Sequence, residues 1–324
     1  MARMTGLLLS LTLSGCIFSR VEIPLGGTLK EYDEKVVSTE PRPEGKVALI
    51  DLEGILTGDH YESIFGSKES AVVAFVEKLK KAEADEDVRA VIVRIDSPGG
   101  DVTTSDILYS ELKAFKERTK RPVVAAFMGL AASGGYYVAS ACDRIVAHPT
   151  TITGSIGVIA VHISLAGLMD KIGIKAVALK SGPNKDVGSP FRDLTEEDRK
   201  LLQALVDQTH ERFVRVVAAG RQGRLTEAEV RAAADGRIFT AAQAADAKLV
   251  DRVGYLQDAL EEARKLAGLR AAQLVMYSRR PQKMENPYSV NAASTGLPAG
   301  EMEQARRLLG FHLYYLWEPY VLGR

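Results

Sequence analysis

The sequence predicts an α/β protein built on a parallel sheet with helical crossovers. Apolar strand patterns alternate with amphipathic helical ones along most of the chain. Two of the strands end in glycine-rich turns, in "DSPGG" and "AASGG". The composition, 46% hydrophobic and 26% charged over 324 residues, is that of a globular chain with a substantial core. Lys+Arg and Asp+Glu each total 42, so the formal net charge is zero and no nucleic-acid partner is expected.

The first element is a targeting segment. "MARMTGLLLSLTLSGC" carries one arginine, an apolar run from Gly6 to Leu13 and small residues before Cys16. That is a short secretory signal, too short to span a bilayer. Its ending, Leu13-Ser14-Gly15-Cys16, resembles a bacterial lipobox, in which the signal is cut before the cysteine and the cysteine is lipidated. Residues 1–15 are therefore expected as a lipoprotein signal peptide. Residues 16–44, with "GG", "STEPRPEG" and aperiodic charges, are expected as the lipidated Cys16 and a linker. With Cys16 so used, Cys142 has no intramolecular partner; in "ASACDRIVA" it reads as a small core residue.

The folded part opens at Lys46 with the strand pattern "KVALIDLEGIL", followed by the helical "ESAVVAFVEKLKKAEAD". "VRAVIVRIDSPGG" reads as a buried strand ending in a tight turn, and "TSDILYSELKAFKER" as an amphipathic helix. "RPVVAAFMG" is a strand, "SGGYYVASAC" a short helix, "RIVAHP" a strand, and "VIAVHISLA" an apolar strand holding His162. Leu194 to Gly220 is strongly helical and begins with a capping box, Thr195 to Asp198. "LTEAEVRAAADG", "TAAQAADAKLVD" and "YLQDALEEARKLAG" add three helices, closing the domain near Gly268. Residues 269–324 read as a tail whose end gathers Phe311, Tyr314, Tyr315, Trp317 and Tyr320. Those aromatics suit a membrane-interface or inter-subunit contact, or equally a helix packed on its own domain.

The chemistry centres on Ser133. A hydroxyl becomes a nucleophile only when a base takes its proton, and the transition state needs N–H donors aimed at the oxyanion. A serine at the start of a helix after a strand, followed by Gly134 and Gly135, has free N–H groups beside it and room for a substrate backbone. The competing reading is a helix start with Ser133 as its N-cap. Gly99 and Gly100, in the turn after the preceding strand, can present further N–H groups at the same crevice. Among five histidines, only His148 follows a strand in a position open to a Ser-His arrangement, and it serves equally well as a loop residue. A lysine can act instead when burial depresses its pKa to about 7 or 8. Lys171, Lys175, Lys180 and Lys185 follow the serine. Lys185 stands in the Gly/Pro-punctuated "KSGPNKDVGSPFRDLT", between a strand and the long helix, and spacing alone does not choose between it and Lys180. No H-E-x-x-H or C-x-x-C occurs, so neither a metal nor another cofactor is expected.

"RIDSPGGDVTTSDIL", "FMGLAASGGYYVASACDRIVA", "TGSIGVI", "SGPNKDVGSPFRDLTEED" and "DGRIFTAAQAADAKLVDRVG" occur in that order. Together they closely resemble the signal peptide peptidase A family of bacterial serine proteases, single-catalytic-domain type, over roughly Lys46 to Gly268. The resemblance implies a ClpP/crotonase-like α/β fold of repeated β-β-α units with a helical C-terminal region, and a Ser-Lys peptidase domain at 45–268. It places the nucleophile on Ser133, the general base on Lys185 and the oxyanion donor on the "SPGG" turn, at Gly99 or Gly100; Gly134 joins them on the helix-start argument. It further implies a homo-oligomeric ring in which serine and lysine meet across subunits. The substrates it implies are remnant signal peptides and other unfolded, membrane-associated polypeptides with apolar side chains. A Cys16 lipid anchor fits a peptidase held at a bacterial membrane with its catalytic domain outside the cytoplasm, periplasmic if Gram-negative. Two rival readings use the same scaffold: a catalytically idle peptide-binding lipoprotein, and acyl-CoA chemistry, which export disfavours.

Overall fold

In the computed structural model, which describes residues 31–58, 61–63, 66–68, 70–279, 286 and 313–316, the alternation resolves into one nine-stranded sheet. The fold is that of the unit beginning at Tyr32; Cys16 and the signal segment lie outside the described residues. The chain runs β1 (Asp33–Thr39), β2 (Lys46–Glu53), the hairpin β3 (Tyr61–Ser63) and β4 (Gly66–Lys68), then α1 (Ala71–Ala84). It continues through β5 (Val88–Ser97), β6 (Gly99–Asp101), α2 (Val102–Thr119), β7 (Val123–Ala132) and α3 (Gly134–Ala139). Next come β8 (Arg144–Ala147), β9 (Ile152–Gly154), β10 (Ile159–Ala160), α4 (Ala166–Lys171), α5 (Glu196–Gly220) and α6 (Glu227–Ala233). The last described elements are β11 (Ile238–Thr240), α7 (Ala241–Asp246), β12 (Arg252–Val253), α8 (Leu256–Ala267), β13 (Gln273–Ser278) and β14 (Leu313–Leu316).

The sheet order is β1-β13-β2-β5-β7-β8-β12, with β9 beside the far end of β7 and β11 beside β9. Every pairing from β13 across to β12 is parallel, as is β7 with β9. Only β1 on β13 and β11 on β9 run antiparallel within it. The continuous apolar runs follow from burial on both faces. Val91, Val93 and Ile95 of β5 face a core shared with Phe75, Leu108, Leu112, Phe115, Tyr136 and Phe213. Ala90 and Ile92, alternating with them, face the other core, closed by Leu256, Ala259, Leu260 and Ala263 of α8. Each fully buried aliphatic side chain there contributes about 1.5–3 kcal/mol.

The helix starts follow their caps. Thr195 accepts from the Asp198 N–H while the Asp198 carboxylate accepts from the Thr195 N–H, the expected capping box, and Thr226/Glu229 and Thr240/Gln243 repeat it.

Four expectations change. The domain extends past residues 45 and 268: β1 comes from the expected linker, and β13, from the expected tail, is an interior strand between β1 and β2. "VIAVHISLA" yields only the two-residue β10, and His162 Nε2 lies 3.1 Å from the Ser189 carbonyl oxygen instead of pairing in a sheet. No strand precedes the Lys185 segment, because Ile174 to Lys180 pass over the surface, leaving Val177 82% and Leu179 97% exposed. Residues Leu313–Leu316 of the tail form a strand, not a helix, packed on their own domain. No described helix is long and apolar enough to cross a membrane.

Candidate active site

β5 and β7 lie side by side and parallel, so the turns that end them meet at one edge. The first turn leads into β6 and α2, the second into α3. Ser133 sits at the second with φ +52°, a conformation a non-glycine residue adopts only under constraint. The constraint is visible on both sides: the Ser133 N–H donates to the Gly154 carbonyl at 2.8 Å, and its own carbonyl accepts from the Tyr137 N–H at 2.9 Å. The side chain is 1% exposed, caps no helix and has no hydrogen-bond partner among the described residues. The N-cap reading of Ser133 therefore lacks the hydrogen bond that defines it.

The glycines are brought against this serine. A β-carbon on Gly99, which has φ +95°, would lie 2.5 Å from the Gly134 nitrogen; one on Gly134 would lie 3.1 Å from Gly99 Cα and 2.4 Å from Ser105 Oγ. Only glycine permits that approach. The three N–H groups are not equivalent. Gly99 N–H donates to the buried Ser97 Oγ at 3.1 Å. The Gly99 carbonyl and the Asp101 N–H are both bonded to Leu56, at 2.8 Å each. Backbone groups alternate between the two edges of a strand, so those of Gly100 face the opposite edge, into the cleft.

The cleft is occupied by the chain itself. β14 lies between β6 and β10, antiparallel to both, with Tyr315 opposite Gly100 and Leu316 opposite Gly99. The Tyr315 carbonyl oxygen would be 2.0 Å from a Gly99 β-carbon and 3.1 Å from a Gly134 β-carbon, placing it between the two turns.

The candidate bases separate clearly. His148 Nδ1 is 2.8 Å from Thr150 Oγ1, and its ring stacks edge-on against Tyr255 rather than reaching Ser133. Lys180 Nζ is 2.7 Å from Asp186 Oδ1 and 3.1 Å from the Pro183 carbonyl oxygen. Arg192 joins the same carboxylate at 3.0 Å; Arg192 and Lys180 together hold the Asp186 carboxyl down to about 2. Lys185, the residue before Asp186, is exposed and its ammonium has no hydrogen-bond or ion-pair partner among the described residues. It makes no hydrogen bond to Ser133 within one chain. In the stretch of chain that flanks it, Leu168, Ile172, Ile174, Val177, Leu179 and Phe191 are all more than half exposed.

Residues 115–270 match the model of Peptidase family S49, and residues 63–153 match that of Clp protease. A protein named as a protease in Synechocystis sp. is 45% identical over 206 residues, which cover 64% of this chain and 73% of that protein. One named signal peptide peptidase SppA in Enterococcus faecium is 34% identical over 250 residues, covering 76% of this chain and 72% of that protein. One named as a protease in Methanocaldococcus jannaschii is 36% identical over 222 residues, covering 68% and 70%. The chain belongs to the signal peptide peptidase A family, peptidase family S49. It is a serine-type peptidase on a ClpP/crotonase-like α/β fold.

Several parts of this S49 peptidase's cleft were not visible in the sequence. Ser97 and Ser105 shape the turns from beneath, Ser105 Oγ donating to the Asp101 carbonyl at 2.9 Å. Asp96 accepts from the Leu130 N–H at 2.9 Å and ties the end of β5 to β7. Tyr137, in the first turns of α3, donates to Asp106 Oδ1 at 2.5 Å; Arg212 of α5 meets the same oxygen at 2.6 Å, so α2, α3 and α5 are pinned together. Burial and that carboxylate push the Tyr137 phenol well above its usual range. The "YY" pair was a signal for this, but its partners are far away in sequence. Cys142 is buried as expected, and burial pushes its thiol up to about 12.

Proposed function

We propose that this chain is a lipid-anchored serine endopeptidase in which Ser133 is the nucleophile and Lys185 of the partner subunit is the general base. The observation that carries the reading is Ser133: a buried hydroxyl without a partner among the described residues, held at φ +52° beside two glycine-rich turns, with a peptide strand lying across it. The neutral Lys185 amine takes the hydroxyl proton as Oγ adds to the scissile carbonyl. The Gly100 and Gly134 N–H groups receive the oxyanion; Gly99 supports the turn, its own N–H being engaged by Ser97. The lysine ammonium then protonates the leaving amine; the neutral Lys185 amine next takes a proton from the water that attacks the acyl ester, and returns it to Ser133 Oγ as the acid product departs.

Two features support assembly. Lys185 is exposed and unpaired among the described residues, and it rides on a segment whose apolar side chains are open to water in a single chain. A second copy covering that segment, in a homo-oligomeric ring, removes the amine from water and brings it to a neighbouring Ser133. The lipobox-like Leu13-Ser14-Gly15-Cys16 supports export and anchoring at a bacterial membrane, outside the cytoplasm. A single acyl chain binds weakly, whereas several chains hold a protein stably. A cleft that receives its peptide as an extended strand suits unfolded polypeptides, remnant signal peptides among them; the name of the Enterococcus faecium relative agrees with that substrate.

The test is complementation. Ser133→Ala and Lys185→Ala each lose peptide cleavage, and a fluorophosphonate no longer labels Ser133→Ala. Mixing the two inactive variants after dissociation and reassembly restores cleavage, because a mixed ring contains Ser133 and Lys185 on facing subunits. Cleavage by Ser133→Ala alone refutes the nucleophile; no recovery on mixing refutes the shared dyad.

A further inference from the structure

The strand in the cleft fills a pocket as well as a groove. Tyr315 is fully buried. Its ring stacks on Tyr137 with centroids 4.9 Å apart and planes 24° apart, and meets Phe213 at 4.6 Å and 50°. Tyr137 and Phe213 meet each other at 5.0 Å, so the Tyr315 ring sits in a cavity walled by two touching rings. The Tyr315 hydroxyl donates to the Thr209 carbonyl oxygen, at 3.0 Å, on the floor of that cavity. Burial pushes this phenol well above its ordinary range, so it remains a neutral donor.

The backbone fixes what the position means. An added strand is held by main-chain pairing while pockets read its alternate side chains. The carbonyl set between the two glycine-rich turns belongs to Tyr315. In a substrate, the residue whose carbonyl sits there precedes the bond to be cut.

We propose that the cavity formed by Tyr137, Phe213 and the Thr209 carbonyl is the specificity pocket for the residue before the scissile bond, and that it selects tyrosine. The inference rests on the peptidase reading above and adds a substrate class to it. Aliphatic side chains leave the two ring faces uncovered. Phenylalanine covers them and forgoes the hydroxyl contact with Thr209.

The test uses the full chain and four fluorogenic peptides identical except for Tyr, Phe, Leu or Ala at the position before the cut, with cleavage mapped by mass spectrometry. Ser133 labelling by a fluorophosphonate is followed in parallel. The Tyr peptide is expected to exceed Leu in kcat/KM by about tenfold or more, from two aromatic contacts. It is expected to exceed Phe by about fivefold, from one neutral hydrogen bond. Phe213→Leu, which keeps apolar volume and removes a ring, brings the Tyr-to-Leu ratio below about threefold; circular dichroism and Tm report its folding. Labelled Ser133 with equal or faster cleavage after Leu or Ala overturns the pocket assignment while leaving the peptidase standing. Labelling without cleavage of the Tyr peptide does the same. Neither labelling nor cleavage overturns the peptidase reading, and this inference with it.

Discussion

Under the proposed function, Ser133 illustrates how a reactive residue is stored in a folded chain. Its positive φ and its buried hydroxyl, unpaired among the described residues, each cost stability, and in the proposed function both set Oγ beside a peptide lying in the cleft. Ser133→Ala is therefore expected to lose activity and gain about 1 kcal/mol of stability, read from urea denaturation, because the orphaned hydroxyl is gone. Glu53 makes a separate prediction. Burial, with Asp51 beside it, raises its carboxyl above the ordinary range, and Arg94 offsets this only in part. The folded chain then binds the proton more tightly than the unfolded one. The cost appears as pH rises past the unfolded pKa and persists at neutral pH. Glu53→Gln is expected to raise Tm by about 2 °C at pH 7 and by less at pH 4. Both glycine-rich turns were legible at this scale, since a close backbone approach leaves its mark in adjacent residues. Which of Lys180 and Lys185 carries an ion pair was not, because the pairing of Lys180 with Asp186 forms only in the folded chain.

Elements with strong local signals formed where the sequence placed them. The 25-residue α5 carries its capping box and holds Thr209, Arg212 and Phe213 against the cleft. Thr195→Ala is expected to cost about 1 kcal/mol in chemical denaturation, through loss of the reciprocal cap. Strands with weak local signals were missed. β1, "DEKVVST", is an edge strand with mostly exposed side chains, so its charges read as linker. β13, "QLVMYS", is apolar enough, but it follows a helix that had already satisfied the expected domain end. β14 is four residues long and acquires strand character only from β6 and β10 on either side.

At the scale of the whole molecule, the segment from Ile163 to Phe191 has no core of its own within one chain. Its exposed apolar residues and the unpaired Lys185 share a surface that a second copy can cover. Leu179→Asp places a charge at a side chain 97% exposed in the single chain. It is expected to leave the monomer's fold intact, shift sedimentation toward smaller species, and lower peptide cleavage by about tenfold or more, since a charge buried without a partner opposes association. An unchanged sedimentation profile removes Leu179 from the interface. By itself the sequence determined the α/β class, the two turns, the serine between small residues, and the family, because each is written in contiguous residues or in the order of short blocks. Only the tertiary structure decided which N–H groups face the cleft, which lysine is left unpaired, and that Tyr315 lies across the cleft beside Ser133. Those outcomes depend on hydrogen bonds and ring contacts between residues far apart in the chain, such as Gly100 and Tyr315, 215 positions from each other, and no local pattern encodes a partner at that distance.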